Sequence, residues 1–296
     1  MDNVSANAGE VNTATSRDLV GNLSELPSLP TIYVEIKKEV DNPNSSITRI
    51  GEVISHDQGL TARLLRLGNS AFFGFPRRID TITEAVSVIG LQHVRDLALC
   101  TKIIELFEGI PPDLIDTYSF WTHSIGVGIS ARVLAAYHRE PNVERYFVAG
   151  LLHDIGRLVM CIQMPDRMRA MISVAQEERQ LLYRIERETL GYDHADVGAA
   201  LLEAWDLPEP LIGGVAWHHR PLLATAFQSE ASFVHVADIF SHGMELGNSG
   251  EWLVPPLSPD AWQRVNLKPT IFSSAMREID RQFAEVARIL MDPHKK

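Results

Sequence analysis

The chain has 296 residues, 45% of them hydrophobic and 22% charged, which is typical of a globular protein with a sizeable core. Its formal net charge of −11 argues against a broad nucleic-acid surface, which would need clustered Lys and Arg; Arg77-Arg78 is a local basic pair. No run of 18 or more apolar residues occurs, so no segment is predicted to span a membrane.

The first predicted segment is a polar N-terminal tail, residues 1–22. It is rich in Ser, Asn, Thr and Ala and lacks the basic and apolar regions of a signal peptide, so we predict a disordered tail. The two cysteines, Cys100 and Cys161, are far apart, and each lies in an apolar stretch. They are predicted to be reduced core residues, which indicates a cytoplasmic location.

Helix caps are the clearest signals in the region that follows, residues 23–108. Asp57 is placed to cap a helix whose apolar residues recur at helical spacing (Leu60, Leu64 and Leu67). Thr81 and Glu84 have the spacing of a capping box before another apolar run. The breaker GIPPD at 109–113 ends this region and is a predicted subdomain boundary.

Beyond the breaker, apolar residues keep the 3/4 spacing of amphipathic helices. Helices are predicted at about 117–137, 142–161, 165–177, 194–205, 209–219 and 229–243. A loop at 247–260 precedes a last helix at about 270–291, which is predicted to pack on its own domain. Without a convincing strand pattern, the prediction is an all-α multi-helix bundle with an N-terminal helical subdomain (23–108), a second helical subdomain (109–245), and a loop with a C-terminal helix (246–296).

The sequence contains two His-Asp pairs. At 54–61, ISHDQGLT has the pattern of a helix junction, so His56 is predicted to lie in a turn and Asp57 to cap the next helix. At 151–158, LLHDIGRL lies within the predicted helix 142–161, which places His153 and Asp154 on adjacent sides of a buried seam. A buried carboxylate is costly unless it is paired or bound to a metal ion.

Five further residues lie on apolar faces of predicted helices: His123, His194, His218, His219 and Asp238. Singly, each is more typical of a core histidine bonded to a backbone carbonyl, or of a carboxylate facing solvent. Together with His153 and Asp154 they have a burial cost that metal coordination would offset. The remaining candidates are interpreted as helix caps or supports (Asp193 and Asp196) and as surface or packing residues (His138, His235 and His242).

The order His123, His153-Asp154, Asp238 resembles the H…HD…D signature of the HD superfamily of metal-dependent phosphohydrolases. The N-terminal half is similar to the HDOD family, with the motifs LPSLP, ARLLRLGNSAFFG, ITEAVSVIGL and WDLP, and the resemblance covers about residues 23–245. It implies an all-α bacterial signalling module with an HD-like subdomain over residues 109–245. Many members have lost the ligands and act without catalysis, whereas this chain keeps a full set.

The additional histidines resemble the set that supports a second ion in the related HD-GYP phosphodiesterases. We therefore assign one ion to His123, His153, Asp154 and Asp238, and a second to Asp154, His194, His218 and His219. Imidazole and carboxylate ligands without thiolate fit Fe, Mn or Zn, and the resemblance favours Fe or Mn. RPLLA follows His219 where that branch has a GYP-type segment, so cyclic-di-GMP is not implied as the substrate.

Two functions remain open at this stage. One is a phosphodiesterase or phosphomonoesterase in which Asp154 is catalytic and Arg157, at the lysine position of HDxGK, holds phosphate; Arg157 could equally be a surface residue. The other is a non-catalytic interaction module with a structural or vestigial metal site. The predicted partner is a signalling protein or a small phosphorylated ligand, without nucleic acid or membrane.

Overall fold

The computed structural model describes residues 15–21, 27–107 and 110–291. All regular secondary structure in these residues is helical, which confirms the all-α prediction. The helices of the N-terminal half are α1 (Ser16–Gly21), α2 (Thr31–Asp41), α3 (Ile47–Ser55), α4 (Gln58–Gly68), α5 (Ile82–Ile89), α6 (Leu91–Leu106) and α7 (Thr117–His138).

The remaining helices are α8 (Glu144–Leu152), α9 (Ile155–Gln163), α10 (Pro165–Glu178), α11 (Leu182–Leu190), α12 (His194–Ala204), α13 (Glu209–Trp217), α14 (Gln228–Gly243), α15 (Pro259–Val265) and α16 (Phe272–Met291). Single 3₁₀ turns occur at Pro221–Leu223 and Pro269–Ile271. Helices α11 and α15 fall in stretches where the sequence predicted none. The predicted loop at 247–260 ends at Ser258, whose side chain caps α15.

Helix α7 lies at the centre of the bundle and packs against α8, α14 and α16. It is buried along most of its length because its own apolar and small residues occupy every side of the helix. Examples are Phe120, Ile125, Gly128 and Ile129. Helix α16 also contacts α4 and α6, so the C-terminal helix packs on its own chain as predicted. One hydrophobic core extends from Leu19 to Leu290.

The predicted caps of the N-terminal half are present. Asp57 accepts a hydrogen bond from the backbone N–H of Leu60 at 2.8 Å and starts α4. Thr81 accepts one from the backbone N–H of Glu84 at 3.1 Å and starts α5. His56 is exposed at the end of α3, which confirms that the first His-Asp pair is a helix junction.

The predicted helix 142–161 is wrong in one respect. The chain forms α8, turns at His153 and Asp154, and then forms α9. The break explains how the adjacent side chains of His153 and Asp154 reach the same interior region. On a straight helix, neighbouring side chains project about 100° apart, whereas a turn can direct both to one side.

The prediction of a disordered tail at 1–22 is also wrong for the part that the structure describes. Residues Ser16–Gly21 form α1, and its buried Leu19 and Val20 belong to the hydrophobic core. Arg17 pairs with Glu203 of α12 at 3.1 Å. The rest of that predicted tail, like Gly109 of the GIPPD breaker and Leu26 of LPSLP, lies outside the described residues.

In the described ranges, no helix is both long and apolar enough to cross a lipid bilayer. Cys100 and Cys161 are free thiols with 0% and 1% exposure. Burial raises the pKa of Cys161 to about 12 and that of Cys100 well above its ordinary value.

We expect both thiols to be unreactive in the folded protein, because only the thiolate is nucleophilic and the folded state keeps both protonated through neutral and mildly alkaline pH. Thiol titration with a chromogenic disulfide at pH 8 should detect no thiol in native protein and both after denaturation. Rapid labelling of either cysteine in the native state would contradict this burial.

Candidate metal centre

The second His-Asp pair is buried at the junction of α8 and α9, with His153 1% and Asp154 3% exposed. The absence of a side chain at Gly156 allows α9, which follows this pair, to lie directly against α12. A Cβ on Gly156 would lie 2.0 Å from the carbonyl oxygen of His194 and 2.5 Å from the backbone nitrogen of Gly198. Helices α9 and α12 therefore touch through their backbones, which brings Asp154 and His194 together.

One group of ligand atoms comes from α7, the α8–α9 turn and α14. The Nε2 atom of His123 lies 3.1 Å from Oδ1 of Asp238, and the Nε2 atom of His153 lies 3.9 Å from the same oxygen. His123, His153 and Asp154 each offer a ligand atom within 4.8 Å of the others. His242, one turn after Asp238, adds its Nε2 atom at 3.4 Å from Oδ1 of Asp238.

The other group comes from the same turn, the start of α12 and the end of α13. The ligand atoms of Asp154, His194, His218 and His219 all lie within 4.8 Å of one another. The Nε2 atom of His194 is 2.8 Å from Oδ1 of Asp154 and 3.0 Å from Nε2 of His219. The ring of His219 is stacked on Tyr183 of α11, with centroids 4.0 Å apart.

Asp154 is shared between the two groups, and its two oxygens face different histidines. Oδ1 lies 2.8 Å from His194 and 3.6 Å from His218. Oδ2 lies 3.3 Å from Nε2 of His153. This is the arrangement of a carboxylate that can bridge two cations. All seven residues that the sequence singled out as ligands therefore come together at one place in the fold.

Hydrogen bonds prepare two of the histidines for coordination. The Nδ1–H group of His153 donates to the carbonyl oxygen of Gly150, and that of His218 donates to the carbonyl oxygen of Val215, both at 2.7 Å. Each ring therefore turns its Nε2 atom toward the centre, and both Nε2 atoms are buried without a hydrogen-bond partner. Unpartnered ring nitrogens beside buried carboxylates fit a site for a bound cation.

The pKa shifts of Asp154, His218 and His219 support the same fit. Burial alone would raise the pKa of Asp154, but Arg157, His153 and His194 hold it well below its usual value. Burial and neighbouring histidines lower the pKa of His218 and of His219, so both rings are neutral at pH 7. At His194, burial and Arg157 lower the pKa, but Glu186 and Asp154 outweigh them and raise it to about 10, so this ring is protonated without metal and must release a proton to bind an ion.

Arg157 is 1% exposed, so the alternative of a surface residue is wrong. Its Nη1 atom lies 3.2 Å from Oδ2 of Asp154 and donates to the carbonyl and hydroxyl oxygens of Ser249 at 2.9 and 2.8 Å. Its Nη2 atom lies 3.0 Å from Nδ1 of His194. A fixed guanidinium thus lies beside both groups of ligands, where it could contact an anion.

Glu186 is a functional candidate that the sequence analysis missed. It is fully buried in α11, and its Oε2 atom accepts hydrogen bonds from both Nδ1–H and the backbone N–H of His194, at 2.6 and 2.9 Å. A carboxylate on the far nitrogen fixes a histidine with its other nitrogen toward a metal ion. Because α11 was not predicted, no pattern placed Glu186 near His194.

We expect Glu186→Gln to weaken metal binding by about 10- to 100-fold, because the amide orients His194 less firmly and makes its ring less basic. Glu188→Gln is the matched control, since Glu188 is exposed on the same helix. Competition with a chromogenic chelator measures both variants. Equal affinities in the two variants would show that Glu186 does not support a metal ligand.

The segment Gly247–Glu251 covers the centre. Asn248 donates its backbone N–H to the carbonyl oxygen of Ser119 at 3.1 Å, and Ser249 holds Arg157. Glu251 is 4% exposed and accepts the backbone N–H of Leu182 at 2.8 Å. Gly247 has φ +75° and lies against the backbone of α7, where a Cβ would be 2.5 Å from the nitrogen of His123.

The other polar residues of the sequence analysis divide as follows. Asp193 and Asp196 form a capping box at α12 and pair with Arg187, as predicted for cap residues. His235 is a packing residue, with Nδ1 bonded to the carbonyl oxygen of His218 and Nε2 accepting from Ser258. His242, assigned in the sequence analysis to the surface or to packing, has its ring 4.7 Å from that of His123 and is a further candidate ligand beside the first group.

Comparison with known proteins identifies relatives of the fold and sequence. Residues 26–221 match the family model described as the HDOD domain. An uncharacterized protein of Treponema pallidum (strain Nichols) is 27% identical over 229 residues, which are 73% of this chain and 44% of that protein. The chain thus spans less than half the length of this relative.

Two crystal structures have similar folds. An HDOD domain protein of unknown function from Geobacter sulfurreducens has a TM-score of 0.75 and 25% identity, covering 95% of this chain and 97% of the other. A candidate phosphohydrolase from Shewanella amazonensis SB2B has a TM-score of 0.72 and 27% identity, covering 94% of this chain and 99% of the other.

Proposed function

The chain belongs to the HDOD domain family, and we propose that it is a cytoplasmic bacterial signalling protein whose two-ion centre hydrolyses a phosphodiester or phosphomonoester. The similarity to a candidate phosphohydrolase supports this reaction class. The single observation that carries the proposal is Asp154, whose two oxygens face two separate groups of histidines. A carboxylate in this position suits two ions that act together.

The donor set favours Fe, Mn or Zn. All candidate ligands are imidazoles or carboxylates, which suit these ions better than Cu(I) or Mg. Of the three, we favour Fe or Mn. His123, His153, Asp154 and Asp238 would hold one ion, with His242 as a further neighbour, and Asp154, His194, His218 and His219 would hold the second.

The charge of the site also favours cations. The buried carboxylates Asp154, Asp238, Glu186 and Glu251 surround one buried guanidinium, that of Arg157. Asp154 and Glu186 have lowered pKa values although burial opposes this, so both are ionised at neutral pH. Buried negative charge of this kind is costly unless cations offset it, here Arg157, the protonated His194 or bound metal ions.

When bound, divalent ions would supply Lewis-acid chemistry by activating water and screening charge on a phosphoryl group. Arg157 would bind a phosphoryl oxygen, since its Nη1 and Nη2 atoms already lie beside Asp154 and His194. Glu186 would keep His194 oriented throughout. Ser249 and Glu251 would exclude bulk water from the site.

The experiment is a hydrolysis assay of bis(p-nitrophenyl) phosphate and p-nitrophenyl phosphate, with Fe(II), Mn(II) or Zn(II) restored to chelator-treated protein. We expect turnover of at least one ester that depends on the added ion and disappears again with chelator. Lack of turnover with metal bound would contradict the enzymatic function.

A second candidate function is a signalling module that keeps the metal without catalysis. The enclosure of the centre favours it, because His123, His153, Asp154, His194, His218 and Asp238 are each at most 4% exposed. This low exposure leaves a substrate little access to the ligand atoms. Metal-dependent thermal stability without turnover of either ester would support this alternative.

A further inference from the structure

A second candidate site lies in the N-terminal half, in a surface cavity of about 480 Å³. We name it the arginine cavity and define it by its lining residues: Leu65, Arg66, Asn69, Phe75, Arg77, Arg78, Ile79 and Asp80. None of them belongs to the metal centre. The volume lies within the range of small-molecule binding sites.

Three arginines converge on this cavity in a protein with a net charge of −11. Arg77 has neither a hydrogen bond nor an ion pair within the described ranges of the chain. Arg78 is exposed, and its Nε atom pairs with Oδ1 of Asp80 at 3.0 Å. Guanidinium groups bind phosphate through paired hydrogen bonds, so this concentration of charge favours an anionic phosphate ligand.

The wall of the cavity is fixed by one side chain. Asn69, at the end of α4, donates from Nδ2 to the carbonyl oxygens of Leu65 and Ile79 and accepts the backbone N–H of Ile79 at Oδ1, all at 2.8 Å. Ile79 itself is 3% exposed. The segment that carries Arg77 and Arg78 is therefore anchored to α4 just after the arginines, which reduces the ordering cost of binding a ligand.

An aromatic ring completes the cavity. Phe75 is stacked on Phe73, with centroids 5.5 Å apart and planes 6° apart, and it contributes to the lining. Phe73 is in turn adjacent to Arg132, whose guanidinium lies 5.9 Å from its ring centroid. The ring of Phe75, held in place by Phe73 and lying beside the arginines, offers a surface on which a planar base can stack.

We propose that the arginine cavity binds a mononucleotide, with its phosphate on Arg77 and Arg78 and its base against Phe75. The phosphate would compete with Asp80 for Arg78. This site is separate from the metal centre and does not depend on phosphoester hydrolysis there. Through this site the protein would bind a small phosphorylated ligand as a signal.

The test is calorimetric titration of the full chain with AMP, GMP and inorganic phosphate. We expect at least one nucleotide to bind saturably and more tightly than inorganic phosphate. The double variant Arg77→Gln/Arg78→Gln should weaken this binding by about tenfold or more, because charge-assisted hydrogen bonds are lost. Both side chains are exposed, so thermal melting should show the double variant folded.

Two control variants locate the binding. Arg167→Gln removes an exposed arginine from α10, and Asp154→Asn alters the metal centre; neither should change the nucleotide affinity. Unchanged affinity in the double arginine variant would overturn the proposal. So would inorganic phosphate binding as tightly as the nucleotides, binding that needs Asp154, or no mononucleotide binding up to about 1 mM.

Discussion

Replacing Asp154 by Asn is expected to abolish phosphoester turnover, with a loss of more than about a hundredfold, and to lower the bound metal from about two ions to one or none. The amide keeps the shape of the side chain but removes the charge that faces His153 on one side and His194 on the other. Steady-state hydrolysis with saturating metal, together with elemental analysis of the same sample, measures both effects.

The first His-Asp pair provides the matched control. Asp57→Asn changes the same residue type beside a histidine, but Asp57 caps α4 and pairs with Lys102 at 2.6 Å. Asn caps a helix about as well as Asp, so turnover and metal content should stay at the wild-type values. If Asp154→Asn kept both wild-type turnover and wild-type metal content, Asp154 would not be a bridging ligand.

Gly156→Ala is expected to destabilise the fold by about 3 kcal/mol or more, a large effect for one added methyl group. The new Cβ would lie 2.0 Å from the carbonyl oxygen of His194 and 2.5 Å from the backbone nitrogen of Gly198. Backbone atoms cannot turn aside as a flexible side chain can, so α9 and α12 must separate. The melting temperature should fall by about 6 °C or more.

Gly243→Ala is the control for this substitution. Gly243 is the last residue of α14, and a Cβ there would meet no atom within 4 Å. Alanine should be neutral or slightly stabilising at this position, because it has the higher helix propensity. Equal melting temperatures for the two variants would contradict the backbone contact between α9 and α12.

The sequence was sufficient for the fold class because capping and apolar spacing are local signals. Asp57 and Thr81 cap the helices that their neighbours predict. The break between α8 and α9 was not predictable in the same way. Apolar residues continue through it at helical spacing, and only the contact of Gly156 with α12, far away in sequence, accounts for the glycine at this turn.

In the candidate site, too, local sequence signals predicted some residues, whereas others depend on contacts between distant parts of the chain. The seven predicted ligands could be selected because histidines and aspartates on apolar helix faces are unusual. His242 was not selected as a candidate ligand, although it follows Asp238 by one turn, because nothing local separates a candidate ligand from a packing residue such as His235. Glu186 was missed because its role depends on the pairing of α11 with the start of α12. Helix α1 has only two apolar residues, Leu19 and Val20, which are too few for a sequence pattern.

The central claim is that Asp154 joins two cation sites in one buried centre. Elemental analysis of metal per chain, on protein purified without chelator or metal-affinity resin, tests it most directly. The geometry predicts about two ions of Fe, Mn or Zn per chain, a stoichiometry set by two ligand groups that share one carboxylate. A folded protein that contains no metal, and takes up none when these ions are supplied, would contradict it.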